Sequence, residues 1–269
     1  MPPMIRLRRS ATDGLARLLA VAAAALFTYP LVLMVKASLG APGGLIEPYR
    51  VAFEWVPLGR GLFNSLVVAA IAVPLTLAVS SMAGTGLALL SRRRQVLAIT
   101  ALLLVASIPL TAVWIPRFVM FEALGAVGTW IPLVAPALAG GSPLFVLLYF
   151  LAIRRIPEHL LEAARLEGLG LFGLWWRVAL PLVRPTTLAV GLLATAQVWG
   201  NFIEAVLYLN AERTLTAPLM LHTLQTMGST QWPVLMAGAV VVTAPVLVAF
   251  VALQRFFAAP EREGSWLGR

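Results

Sequence analysis

An all-α, polytopic membrane protein with six transmembrane helices is the fold class this sequence predicts, and three observations predict it. First, 60% of the 269 residues are hydrophobic and 12% are charged, where soluble domains carry roughly a quarter charged residues. Mean hydropathy is +0.91. Second, apolar runs long enough to cross about 30 Å of hydrocarbon recur along the chain. Third, the arginines gather at the ends of those runs rather than over one surface, which is the pattern of the positive-inside rule. That distribution accounts for the formal charge of +9 without a nucleic-acid partner.

Residues 1–14 are polar and carry Arg6, Arg8 and Arg9. The first span covers 15–37. A charged start before an apolar run also describes a signal peptide, but this run is long and more spans follow, so it reads as an uncleaved helix. Residues 38–60 form a Gly- and Pro-rich outer loop with Glu47, Arg50, Glu54 and Arg60. The second span, about 61–90, opens with Asn64-Ser65 and closes at Arg92-Arg93-Arg94. The third covers about 96–110, with 115–124 as a continuation or a re-entrant piece. Pro109 and Pro116 predict kinks there, which neighbouring helices can satisfy. Residues 125–134 form an outer loop, and the fourth span runs about 136–153.

The interval 154–185 carries five arginines and three glutamates, so it sits in water between spans. The fifth span is about 186–209, followed by an outer segment, 210–232, with room for a short helix. The sixth is about 233–256, and the tail occupies 258–269. Together 15–257 form the membrane domain. Arg and Lys total 20. Fifteen lie at 6–17, 92–94, 154–184 and 255–269, while Lys36, Arg50, Arg60, Arg117 and Arg213 lie in outer segments or span ends. Both termini and the 154–185 loop are therefore placed in the cytoplasm.

Several chemistries are excluded. There is no cysteine, hence no disulfide framework or thiolate metal site. The single lysine, Lys36, follows Leu-Met-Val, so there is no Gly-x-x-x-x-Gly-Lys-Ser/Thr phosphate loop. Any ATP-driven work needs a separate subunit. Neither a Ser/His/Asp cluster nor a metal-ligand spacing is present. The two histidines, His159 and His222, are isolated, and His222 reads as a solvated loop residue.

Within 154–185 the sequence predicts two short helices. Pro157 suits a first helical position, and Glu158 then meets the positive end of the helix dipole. Glu162 and Arg165 are spaced to pair along one face. Gly168 and Gly170 stop the helix. A second helical run covers 171–178, ended by Pro181 and Pro185. Leucines mixed with charges give a helix–turn–helix lying along the membrane, read either as a docking surface or as an incidental interfacial helix.

Glu162-Ala163-Ala164, then Gly168, then Leu180-Pro181 and Pro185, resembles the cytoplasmic EAA loop of ABC importer permeases. Glu167 stands where that family usually has aspartate, and Leu169 where it usually has a small residue. Asn64-Ser65 and the stretch from Ala83 to Arg92 are similar to the same family. Trp199-Gly200-Asn201-Phe202, Thr214-Leu215-Thr216-Ala217-Pro218, Pro245 and Gln254-Arg255-Phe256-Phe257 resemble its carbohydrate-uptake, maltose-type branch, with the asparagine displaced by one position. The resemblance covers most of 61–257.

It implies a type I ABC importer permease fold without its own ATPase. It also implies a second permease subunit in a heterodimer, two ATPase subunits that bind ATP and Mg, and an extracytoplasmic solute-binding protein. Glu162, Ala163, Ala164, Glu167 and Gly168 would contact the ATPase. The physics of the residues agrees: alanines permit close approach, and Glu162 offers charge to an arginine or to backbone amides. The solute implied is a sugar or polyol. Polyamine, phosphate or glycerol phosphate import by the same architecture are the neighbouring readings. An ion-coupled transporter finds few acidic residues in the spans to use, and a non-transporting anchor is the remaining class.

The fifth span holds the solute candidates. Gln197, Asn201, Glu204 and Tyr208 are spaced by four, three and four, which lines one helix face. Polar groups in a span face either a water-filled path or another helix, and a further reading puts Glu204 near the outer surface.

Overall fold

The computed structural model describes residues 3–40, 44–227 and 231–257, with side chains over 17–40, 44–227 and 231–252. The expected cytoplasmic tail, 258–269, and the side chains of Arg6, Arg8, Arg9 and Arg255 lie outside the described residues. In chain order the helices are α1 Pro3–Ser38, α2 Glu47–Trp55, α3 Leu58–Ala88, α4 Arg92–Ala106, α5 Leu110–Ala123 and α6 Ile131–Val134. A 3-10 turn, Ala135–Ala139, leads to α7 Pro143–Ile153, followed by α8 Glu158–Leu166 and α9 Leu171–Leu174. A π-helical segment, Trp175–Ala179, joins α9 to α10 Leu180–Leu182. Then come α11 Arg184–Trp199, α12 Phe202–Tyr208, a 3-10 turn Glu212–Thr214, α13 Ala217–Met227 and α14 Trp232–Phe257.

Among the described residues four segments are long and apolar enough to cross a membrane: Arg17–Ser38, Leu58–Ala88, Trp232–Ala252 and Ile131–Ile153, the last interrupted by the 135–139 turn and by 140–142. Two further pairs qualify together but are sharply bent, α4 with α5 by 86° and Leu171–Leu182 with α11 by 87°. Counting each pair as one span gives six. The bends have local causes. Pro109 precedes α5 with extended backbone (ψ 131) and cannot continue α4. Val183, between Pro181 and Pro185, leaves the helical region at φ −101, ψ 24.

The chain groups into two compact units, 1–57 with 221–243 and 58–220 with 244–269. In the first, the Ser38 hydroxyl lies 2.8 Å from the Tyr49 hydroxyl and donates to the Val35 carbonyl. On α2, Arg50 pairs with Glu47 and Glu54 at 2.7 and 3.3 Å. The Glu47 hydrogen bond from Arg50 holds its carboxyl below the usual range. The long apolar helix α1 keeps Leu18, Leu26 and Phe27 more than half exposed. An apolar helix surface of that size belongs against lipid or another protein.

In the second unit α3 is the central strut, packed along α7 and α11 and against the 135–139 turn. Small residues make the approach possible. A Cβ on Gly84 would lie 2.6 Å from the Tyr149 Cβ and 3.0 Å from the Phe150 nitrogen, so only glycine fits where α3 crosses α7. Buried hydroxyls on α3 are satisfied by their own helix: Ser80 donates to the Thr76 carbonyl and Thr85 to the Ser81 carbonyl at 2.8 Å. One apolar cluster joins Phe145, Tyr149 and Ile153 to Val183, Val190 and Ala194. Another joins Val68, Phe121 and Leu133 to Ala205, Tyr208 and Leu209.

Candidate functional site

Two places in the second unit answer to the sequence expectations, the 154–185 loop and a cavity beside the fifth span. In the loop, Pro157 is not inside the helix as expected. It is the residue before it, extended at ψ 133, and Glu158 begins α8. Gly168 ends that helix at φ +82, the left-handed conformation expected of it, with open space around its α-carbon. Gly170, by contrast, stops nothing. It is extended, at ψ 177, and precedes α9. The second helix is longer than expected, running on through 182 before the bend at Val183. Its anchor is Trp175, whose Nε1 donates to the Ser81 hydroxyl at 3.0 Å in a buried contact.

The five candidate contact residues, three on α8 and two just after it, divide. Glu162, Ala163, Glu167 and Gly168 are exposed, while Ala164 is buried. Leu166 is 90% exposed, a large apolar side chain presented outward beside them. The expected Glu162–Arg165 pair is not formed: the described ion pairs involve Arg50 and Arg117 only. Both groups are at the surface, where water solvates them as well as a partner would.

The fifth span departs most from expectation. It is not one helix from 186 to 209. The α11 helix ends at Trp199, and α12 restarts at Phe202. Between them Asn201 has φ −75, ψ 74, and the Phe202 nitrogen donates to the Gly200 carbonyl at 2.8 Å, an inverse γ-turn. The polar residues therefore do not form one continuous helix face. Gln197, Asn201 and Glu204 still line a common cavity of about 330 Å³, with Thr76, Trp114 and Arg117. Tyr208 does not. It is fully buried among apolar side chains, its ring stacked on Phe118 at 6.3 Å and edge-on to Phe121 at 5.5 Å.

Glu204 sits in a buried polar network that sequence reading missed. Arg117, expected at an outer span end, lies on α5 with its side chain only 18% exposed and donates to Glu204 Oε1. Asn201 Nδ2 donates to Glu204 Oε2 at 2.8 Å. The guanidinium also sits 6.0 Å from the ring centres of Phe121 and Tyr208. The cavity lies where regular backbone is interrupted, beside the breaks at 107–109 and 200–201. Non-helical backbone at such depth is tolerated where it lines a cavity or is buried in protein.

A second missed set ties down the segment that follows α12. Asn64 Nδ2 donates to the carbonyls of Arg213 and Leu215 at 3.0 and 2.8 Å, Ser65 Oγ accepts from the Ala217 nitrogen at 2.8 Å, and Trp130 Nε1 donates to the Thr214 carbonyl at 2.9 Å. These residues satisfy the backbone of 213–217, a stretch with few helical partners of its own.

The family model described as binding-protein-dependent transport system inner membrane component matches residues 77–260. The chain belongs to that family. Two relatives show how far the likeness extends across this permease. It is 29% identical over 205 residues to the arabinooligosaccharides transport system permease protein AraQ of Halalkalibacterium halodurans, covering 76% of this chain and 71% of the relative. It is 30% identical over 206 residues to the sulfoquinovosyl glycerol transport system permease protein SmoH of Agrobacterium fabrum, covering 77% and 72%. Its fold is that of a chain of the bacterial alginate ABC transporter crystallised with an alginate pentasaccharide-bound periplasmic protein, at TM-score 0.72 and 14% identity over 97% of this permease and 98% of that chain. The permease is thus a multi-pass membrane subunit of an ABC transport system, as its EAA-type loop implied.

Proposed function

We propose that this permease forms part of an ATP-driven importer that carries a sugar or related polyol across a bacterial cytoplasmic membrane. The observation that carries the solute class is the cavity, which combines amide side chains, Gln197 and Asn201, with an aromatic, Trp114. Amides hydrogen-bond hydroxyls and aromatic faces stack on sugar rings. The relatives named for arabinooligosaccharides and sulfoquinovosyl glycerol support the same class. Gln197, Asn201 and Glu204 are the pathway residues in this reading, and Tyr208 is structural support beneath them.

The rest of the assembly follows from the same reading. A second permease subunit pairs with this chain, two ATPase subunits bind ATP and Mg, and an extracytoplasmic binding protein delivers the solute. Both termini and the 154–185 loop face the cytoplasm, supported by the arginine distribution. The surface formed by Glu162 and Ala163 on α8 and by Glu167 and Gly168 just after it seats on the ATPase and moves with it, and the adjoining helix, held to α3 by Trp175 and Ser81, passes that motion to the membrane helices. The membrane domain is 15–257 with 154–185 as its coupling loop.

The test is uptake in proteoliposomes holding the full complex, with solutes chosen by a ligand screen on the cognate binding protein. Uptake of a sugar that requires internal ATP and collapses without the binding protein is expected. Binding of a polyamine, phosphate or glycerol phosphate instead would overturn the solute class. Uptake that persists without ATP and follows an ion gradient would overturn the mechanism.

A further inference from the structure

The Arg117–Glu204 pair is not explained by stability. Removing both charges from water costs about what their attraction returns, so apolar replacement of such pairs is often neutral. Its placement points to the cavity. Both side chains line it, and both stand on helices, α5 and α12, that begin just after a break in a span. Both carboxylate oxygens of Glu204 are engaged, one by Arg117 and the other by Asn201 Nδ2. Neither charge is left bare. The Asn201 amide is also fixed: its nitrogen is held by Glu204, which leaves its oxygen as the acceptor for a solute hydroxyl.

We propose that Arg117 is a positioning residue that neutralises Glu204 and, through it, orients Asn201, so that the cavity wall offers hydrogen-bonding groups without net charge and suits an uncharged, polyhydroxylated solute. This rests on the reading of the cavity as the solute path. Each charge acts as the counterweight of the other. Taking away the arginine exposes a carboxylate that favours cations. Taking away the carboxylate charge exposes a guanidinium that favours anions such as uronates.

The chain contains no cysteine, so Gln197→Cys places its only thiol at the cavity. In the complete complex in membranes, the rates at which this thiol on this chain reacts with a cationic and an anionic methanethiosulfonate of similar size are compared, as a ratio, with those of a small free thiol. With the pair intact the ratio is expected to stay within about threefold of the free thiol. Adding Glu204→Gln should shift it toward the anionic reagent, and adding Arg117→Met toward the cationic one, each on the order of tenfold. Arg117→Lys should bring the ratio back toward the parent.

A ratio unmoved by Glu204→Gln overturns the proposal, because glutamine keeps the volume of the side chain and removes only its charge. That variant decides the matter should Arg117→Met fail to assemble. A thiol inert to both reagents would overturn the pathway reading itself, and this inference with it. A reactive thiol whose ratio moves with neither Glu204→Gln nor Arg117→Met would overturn this inference alone.

Discussion

The 154–185 loop and the cavity differ in how their chemistry is laid out along the chain. In the loop, Glu162 to Gly168 form one contiguous segment, most of it exposed, and its geometry is decided within a turn or two. In the cavity, Arg117 meets Glu204 across 87 positions, and Asn201 reaches Glu204 from the break between α11 and α12. A surface made to dock shows its residues in sequence order. A surface made to line a path is assembled from several helices, and its key partners are far apart in sequence. The two regions should therefore fail in different ways when altered.

The largest effect should come from the loop. Gly168→Asp places a side chain at φ +82 with nothing within 4 Å to obstruct it. The backbone cost is about 1–2 kcal/mol, small enough for the protein to stay in the membrane, while ATP-driven uptake should fall to near background. Glu162→Lys should do the same by reversing the charge offered to the ATPase. Uptake and membrane abundance measured side by side check both, and full uptake in the two variants would remove the distinction between the regions.

In the cavity the first effect should be on stability. Arg117→Leu strands Glu204 in a site where its side chain is 12% exposed. Breaking one partner of such a pair typically costs about 3–5 kcal/mol, so the detergent-solubilised complex should melt well below the parent. Arg117→Leu combined with Glu204→Leu should recover most of that loss without recovering the solute preference. Melting curves of the single and double variants separate the two roles.

Smaller effects sharpen the boundary. Asn64→Ala removes two hydrogen bonds to the 213–217 backbone and should cost about 1–3 kcal/mol. Trp175→Phe removes one buried hydrogen bond to Ser81, worth about 1 kcal/mol. Because Trp175 joins the loop to α3, this variant should lower the uptake obtained per ATP hydrolysed more than it lowers the melting temperature. An unchanged ratio of uptake to hydrolysis would confine Trp175 to packing.

How much was legible in sequence follows the same division. Apolar runs and arginine placement located the membrane segments, because lipid forces each span to satisfy its own backbone and length alone is diagnostic. Gly168 was legible because ending a helix is a local problem that glycine solves. Pro157 and Gly170 were misplaced by a residue or two of register, since either side of a helix boundary suits them. The break at Gly200-Asn201 left a signal in two adjacent turn-prone residues, but the four-three-four spacing of Gln197, Asn201, Glu204 and Tyr208 fits an unbroken helix equally well. Arg117 looked like one more span-end arginine, and no local pattern announces a partner 87 residues away. Asn64 and Ser65 carried a family resemblance, yet their contacts with 213–217 depend on how distant helices meet.

The central claim is that the exposed α8 face seats on an ATPase subunit. The most direct measurement uses the cysteine-free chain with Ala163→Cys, carrying a thiol-attached photocrosslinker, in the native membrane, followed by mass spectrometry of the crosslinked product. We expect peptides of a P-loop ATPase attached at position 163, lost when Gly168→Asp is added. Crosslinks to lipid alone, or to a protein without a phosphate-binding loop, would contradict the assignment and return α8 to the status of an interfacial helix.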